Sequence, residues 1–239
     1  MKKLLTISLF ILLSSFIIAQ QNPSFVCLQA GASFPVANFS GKELPDGGFA
    51  LIGFSAALEG AWFFKPWIGV GASAGMNKQP VDVGYLGYEK LQDNPFLTDL
   101  RIRSDPHLSL SIYAGLFFQF PLVQKLSLTA KALGGLMYAQ TPYQLYKAEY
   151  YLIGKNWYEI TSSGDYEASF LIGAGLQYDC NDYIGFSIQS DFTYNNMDFG
   201  FNQSDGTVRT DVKTVSYINL RAGLVIKLGK SKSPTNGAS

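Results

Sequence analysis

From Phe25 onward the apolar residues alternate with polar or small ones at a period of two. The stretch Leu108 to Phe120 shows it best. Leu108, Leu110, Ile112, Ala114, Leu116, Phe118 and Phe120 fall on one face, and Ser109, Ser111, Tyr113, Gly115, Phe117 and Gln119 on the other. Successive side chains of a strand point to opposite faces, so this predicts a strand with one greasy side. Seven more segments read the same way: Val26 to Phe34, Ala50 to Phe64, Ile68 to Asn77, Leu126 to Tyr138, Tyr166 to Tyr178, Ile184 to Tyr194 and Ile218 to Leu228.

The connections between these segments alternate in length. Lys65-Pro66, Leu122 to Lys125 and Cys180 to Asp182 are tight turns. The other four, near residues 35–48, 78–106, 140–164 and 195–213, are long and polar. Short turns at one end and long loops at the other are the pattern of transmembrane barrels. A soluble sandwich would carry more Lys and Glu on its wet faces. Here those faces are rich in Gly, Ser and Gln, with single charges at strand centres. Aromatic residues gather at both predicted strand ends, as at the two interfaces of a bilayer. The expectation is an all-β, eight-stranded, antiparallel, up-and-down transmembrane β-barrel. The alternative is ten strands, if a hairpin turning at Gly154-Lys155-Asn156 also enters the bilayer.

Composition agrees. The 239 residues include 14 Tyr, 18 Phe and 24 Gly, and basic and acidic residues balance at 18 each. Zero formal charge gives no pull toward nucleic acid. The first segment has a positive start at Lys2 and Lys3, an apolar run from Leu4 to Ile18, and Ala19 as a small residue for cleavage. That run is shorter than the ~20 residues a spanning helix needs, so it predicts a cleaved signal peptide. Loss of Lys2 and Lys3 leaves a slightly acidic chain. The expected organisation is a signal peptide over 1–19, a barrel over 20–229 and a flexible tail over 230–239. The expected location is the bacterial outer membrane.

The pattern over residues 25–229 resembles the eight-stranded outer-membrane barrel families, in particular the PorT-like group and more distantly the OmpA/OmpX-type barrels. A polar residue, a Gly two later and two spaced hydrophobics, here Arg221, Gly223, Ile226 and Leu228, resemble the final strand of such proteins. Leu228 departs from the family in not being aromatic. The resemblance implies that the barrel-assembly machinery recognises this strand.

Four groups of residues are candidates for chemistry. By parity Glu59, Lys131, Glu167, Asp191, Arg221 and Lys227 all point inward, as does Asp179, which predicts either a lumen charge network or a gate. Eight strands leave a bore that side chains fill, which favours the network, with Arg221 paired to Asp191 or Glu59. His107 and Ser109 form a His-x-Ser pair similar in arrangement to that of the outer-membrane lipid A deacylases, but no matching acid follows them. The loops carry Tyr85, Tyr88, Tyr143, Tyr146, Tyr150, Tyr151, Trp157 and Tyr158, which suit a surface protein or glycan ligand or else packed hairpins above the barrel. Cys27 and Cys180 permit a disulfide in an oxidising compartment. The functional expectation is a structural or surface-interaction role in outer-membrane lipid, without enzymatic activity or cofactor. The alternatives are a small pore for ions or solutes and, behind it, a lipid-modifying enzyme.

Overall fold

The structure is a computed structural model that describes residues 24–44, 46–202 and 208–228. The signal segment and the tail lie outside the described residues. The strands are β1 (Ser24–Pro35), β2 (Gly53–Lys65), β3 (Ile68–Gln79), β4 (Leu97–Ser104), β5 (His107–Val123), β6 (Leu126–Gln140), β7 (Gln144–Tyr150), β8 (Gly154–Ile160), β9 (Gly164–Asp179), β10 (Ile184–Asn202) and β11 (Val208–Leu228). One helix, α1 (Val83–Asp93), precedes β4.

Eight of these strands close into a ring in the order β1-β11-β10-β9-β6-β5-β3-β2, each pair antiparallel. The seam joins the first strand to the last, from Ser24 opposite Leu228 to Pro35 opposite Tyr217. Alternation decides what each wall residue meets. On β5, Ile112 is 69% exposed while Ser111 beside it is 7% exposed. Leu28, Leu58, Leu136, Ile172, Ile188 and Leu220 are exposed on six other strands, and Val70 on β3 completes the set. Ser33, Ser55, Asn77, Gln177, Thr193 and Asn219 are buried inside. These inward and outward residues follow the parity read from the sequence.

Two expectations about the loops need correction. The segment 195–213 is mostly strand, because β10 and β11 stay paired out to Asn202 opposite Val208. Period two continues through Met197, Phe199, Val215 and Tyr217, which point inward and pack with Phe39, Ala50, Met137 and Ala139 in one apolar cluster. The ten-strand alternative fails as well. The hairpin over 144–160 is β7 and β8, which pair with β4 in a separate three-stranded sheet. It turns three residues earlier than expected, at Tyr151 to Ile153, and Gly154 takes the positive φ of 77° that follows such a turn.

The loop elements lock together above the barrel. Asp82 caps α1 by accepting from the Tyr85 amide at 3.1 Å, and its carboxylate also meets Lys42 at 3.0 Å. Phe49, Val81 and Leu86 form a small core under the helix, with Ile102 of β4 packed against it.

The alternation generates a test. In phospholipid vesicles, Ile112→Arg is expected to lower the free energy of unfolding by about 2–4 kcal/mol, and Ile112→Leu by less than about 1.5 kcal/mol. Urea titration of the refolded barrel measures both. Equal effects would mean that Ile112 does not face hydrocarbon.

Candidate functional site: the lumen and its mouth

The lumen is built from small and polar residues at inward positions of all eight barrel strands. At its centre four charges converge from four strands. Lys131 on β6 meets Glu59 on β2 and, at 3.0 Å, Asp191 on β10. Arg221 on β11 meets Asp191 and lies 3.7 Å from Glu59. Two cations and two carboxylates therefore alternate around the bore. All four are buried.

Neutral groups complete the shell. Gln189 accepts from Lys131 Nζ at 2.8 Å through its amide oxygen. Gln29 and Ser73 donate to Glu59 at 3.4 and 3.3 Å. Arg221 donates to Ser55 Oγ at 3.4 Å. Buried ions without partners would be driven to neutralise, so these opposite charges and neutral donors and acceptors are what allow charge inside the bore; Arg221 Nε alone of the guanidinium nitrogens is buried without a hydrogen-bond partner among the described residues. Gly173 makes it possible. It sits opposite both Lys131 and Asp191, and a Cβ there would run into the Asp191 carboxylate.

The inward charges do not form one group. Lys227 pairs instead with Asp179 at 2.6 Å near the tight turns, and its amine also reaches the Asn181 carbonyl at 3.4 Å. Glu167 forms no ion pair among the described residues; its carboxylate accepts from the Ala168 amide at 3.2 Å. It lies opposite Met137, at the level of the apolar loop-end cluster, out of reach of the central cations. It is therefore removed from the network. Parity had given its direction but not its height in the barrel.

Apolar packing fills the rest of the bore. Phe25, Phe117, Leu133, Leu171 and Val225 gather with Tyr113 on one side, and the cluster around Met137 and Tyr217 closes the loop end. Cys27 is buried against Ser187 at 3.3 Å, and both cysteines are free thiols. Of the four residues expected to form an assembly signal, Ile226 and Leu228 point outward. Arg221 belongs to the central cluster. Gly223 lies where a Cβ would meet the Leu28 carbonyl and the Gln29 side chain across the seam.

His107 and Ser109 lie at the mouth. The His107 ring packs edge-on against Phe39, centroids 5.1 Å apart, and Nε2 donates to the Gly48 carbonyl at 3.1 Å. A carbonyl only accepts, so Nε2 carries the proton and is not free to serve as a base toward Ser109. Burial pushes the His107 pKa down to about 4, and nearby Lys213 adds to the effect. Beside it opens a cleft of about 480 Å³ lined by Lys90, Tyr146, Glu159 and Lys213. Burial also lowers the Lys90 amine and raises the Tyr146 phenol.

No family model matches the chain, and no curated protein does. Among solved structures, Neisserial surface protein A is 12% identical, with a TM-score of 0.43 over 86% of this chain and 97% of that one. The attachment invasion locus protein Ail of Yersinia pestis is 16% identical, with a TM-score of 0.44 over 86% and 99%. The outer membrane protein OprG of Pseudomonas aeruginosa is 11% identical, with a TM-score of 0.44 over 88% and 98%. None of these carries the PorT-like resemblance. The fold rests on the strand pairing itself.

Stability and pH both provide tests. Arg221→Ala leaves two buried carboxylates to share Lys131, and is expected to destabilise the barrel by about 3–5 kcal/mol in urea titration. Gly173→Ala should cost about 1–3 kcal/mol by displacing Asp191. A stable Arg221→Ala barrel would mean that the cluster is not structural. A further outcome concerns pH. As pH falls below 6.5, His107 of the unfolded chain takes up a proton that the folded mouth refuses until about 4. Mouth stability should therefore fall across that window. Amide exchange around Phe39 should rise at about pH 5 relative to about pH 7.5, and His107→Gln should flatten the difference.

Proposed function

We propose that this chain is an outer-membrane barrel with a structural or surface-interaction role, anchoring its loop platform in lipid. One observation carries the reading: exposed aliphatic residues occur on the outer side of all eight barrel strands while the lumen residues are buried. Water would disfavour such an exterior, since large contiguous apolar surface is rare on soluble monomers. Hydrocarbon accepts it, and a closed ring leaves no unpaired strand edge in lipid. The aromatic residues support the same placement. Trp67 stacks on Phe118 near one rim, and Tyr138 lies 4.6 Å from Tyr166 near the other.

The filled lumen supports anchoring over conduction. Paired ions at the centre and an apolar cluster at the loop end leave the bore occupied by side chains. The surface role falls to α1 and the β4-β7-β8 sheet. Protein or glycan ligands are the proposed partners there, and the aromatic residues of the sheet support them. We extend the proposal to biogenesis: the signal segment directs export, and Ile226 and Leu228, outward on the closing strand, present the assembly signal.

Heating tests the barrel. The unheated protein should run at a different position from the boiled one on a denaturing gel, and it should resist extraction without detergent. In planar bilayers it should give no discrete conductance steps. A soluble periplasmic product would overturn the membrane reading, and stepwise currents would restore the pore.

A further inference from the structure

The tip of the β7–β8 hairpin has an unusual composition. Tight hairpin turns favour Gly, Asn and Asp, which meet the backbone geometry and keep water-facing side chains small and polar. This turn reads Tyr151-Leu152-Ile153. The three side chains are 80, 78 and 82% exposed, more than any other large hydrophobic residue described. Phe96, 62% exposed, joins them, because its carbonyl accepts from the Tyr151 amide at 3.0 Å. Gly154 supplies the positive φ, so the geometry of the turn does not require these apolar residues.

Behind the tip the chemistry changes in order. Lys155 follows one step past Gly154. Two residues further on Trp157 stands exposed, with Lys147 Nζ 4.1 Å from its ring centroid and Arg101 next in register on β4. Apolar side chains lead, Lys155 opposite Glu149 lies one register step behind them, and the Trp157 indole with Lys147 and Arg101 follows. An apolar apex backed at once by charges and an indole suits shallow insertion, with the tip side chains in the bilayer and the charges at the headgroups. The turn carries one polar side-chain group, the exposed Tyr151 phenol, on a ring that suits the water–lipid interface.

Position selects which bilayer. β7 leaves the barrel rim just after β6 ends at Gln140, and its seven residues reach roughly 20 Å at ~3.3 Å per residue. The rim end of the hairpin is held by Thr141 and Ser163, whose backbones bond at 2.8 Å, and by β4, whose Ser104 lies opposite Gln144. The tip is the far end of a braced sheet. The geometry points to insertion of the Tyr151-Leu152-Ile153 tip into a second phospholipid bilayer, apposed to the one the barrel spans. This rests on the surface-interaction reading and names a lipid surface as the partner of the platform.

The test uses the whole barrel in phosphatidylcholine nanodiscs, mixed with protein-free vesicles of dioleoyl phosphatidylcholine that sediment. The wild type should co-sediment. The triple variant Tyr151→Ser, Leu152→Ser, Ile153→Ser should bind more weakly by about tenfold or more, since most of the inserted apolar area is gone. Binding should persist in about 1 M NaCl, where charge attraction is screened within about 3 Å. In a Trp62→Phe, Trp67→Phe background, Trp157 fluorescence should shift to the blue on vesicle addition. Co-sedimentation no greater than that of empty nanodiscs overturns the proposal. So does binding that salt abolishes and the triple variant retains. Self-association of wild-type nanodiscs without vesicles, lost in the triple variant, assigns the tip to a second copy and overturns it too. The heat-shifted gel band of the triple variant shows that its barrel is folded. Loss of that band in the wild type would instead count against the outer-membrane reading.

Discussion

A strand in lipid has no water to satisfy its edge, so β11 must pair along its length with β1. The seam from Ser24 opposite Leu228 to Pro35 opposite Tyr217 supplies those bonds. Closure then divides every strand residue between two solvents of opposite character. Outward positions meet hydrocarbon and carry Leu, Ile, Val and aromatic rings. Inward positions meet one another across a bore wide enough only for side chains. The width of that bore explains the lumen composition. Gly71, Gly115 and Gly173 stand at inward positions where a Cβ would strike neighbouring backbone or side chains.

The central cluster follows from the same closure. Ring formation brings β2, β6, β10 and β11 within reach of one another through the bore, although β2 and β6 are not neighbours in the wall. Glu59, Lys131, Asp191 and Arg221 alternate in sign there, so each ion has two opposite charges beside it. Such a cluster is weak evidence for added stability over an apolar filling, yet removing one member is costly. It also fixes register. A one-residue slip of β11 would turn Arg221 toward lipid and Leu220 toward three buried charges.

Above the membrane a different rule applies. The loop elements have water on one side, and they hold together through local devices: a helix cap at Asp82, the Lys42 pair and a small core around Leu86. The platform is therefore a separate packing unit carried on the rim. Its outer surface takes no part in the pairing of the barrel strands.

The alternation at Leu108 to Phe120, and in seven segments like it, determined the eight barrel strands and their faces, because period two is a local property of the chain. Inward parity likewise identified Glu59, Lys131, Asp191 and Arg221. It could not separate them from Glu167 and Lys227, because parity gives the side of the wall and not the height along the bore. Height depends on the shear of the closed ring, which only the tertiary pairing decides. The extension of β10 and β11 beyond Tyr194 was also visible in Met197, Phe199 and Phe201, but polar neighbours such as Asn195 and Asn196 masked it. The β4-β7-β8 sheet was not legible, since it joins strands from two different loops. Nothing in either loop specifies the other as a partner until the barrel brings β3, β5, β6 and β9 side by side.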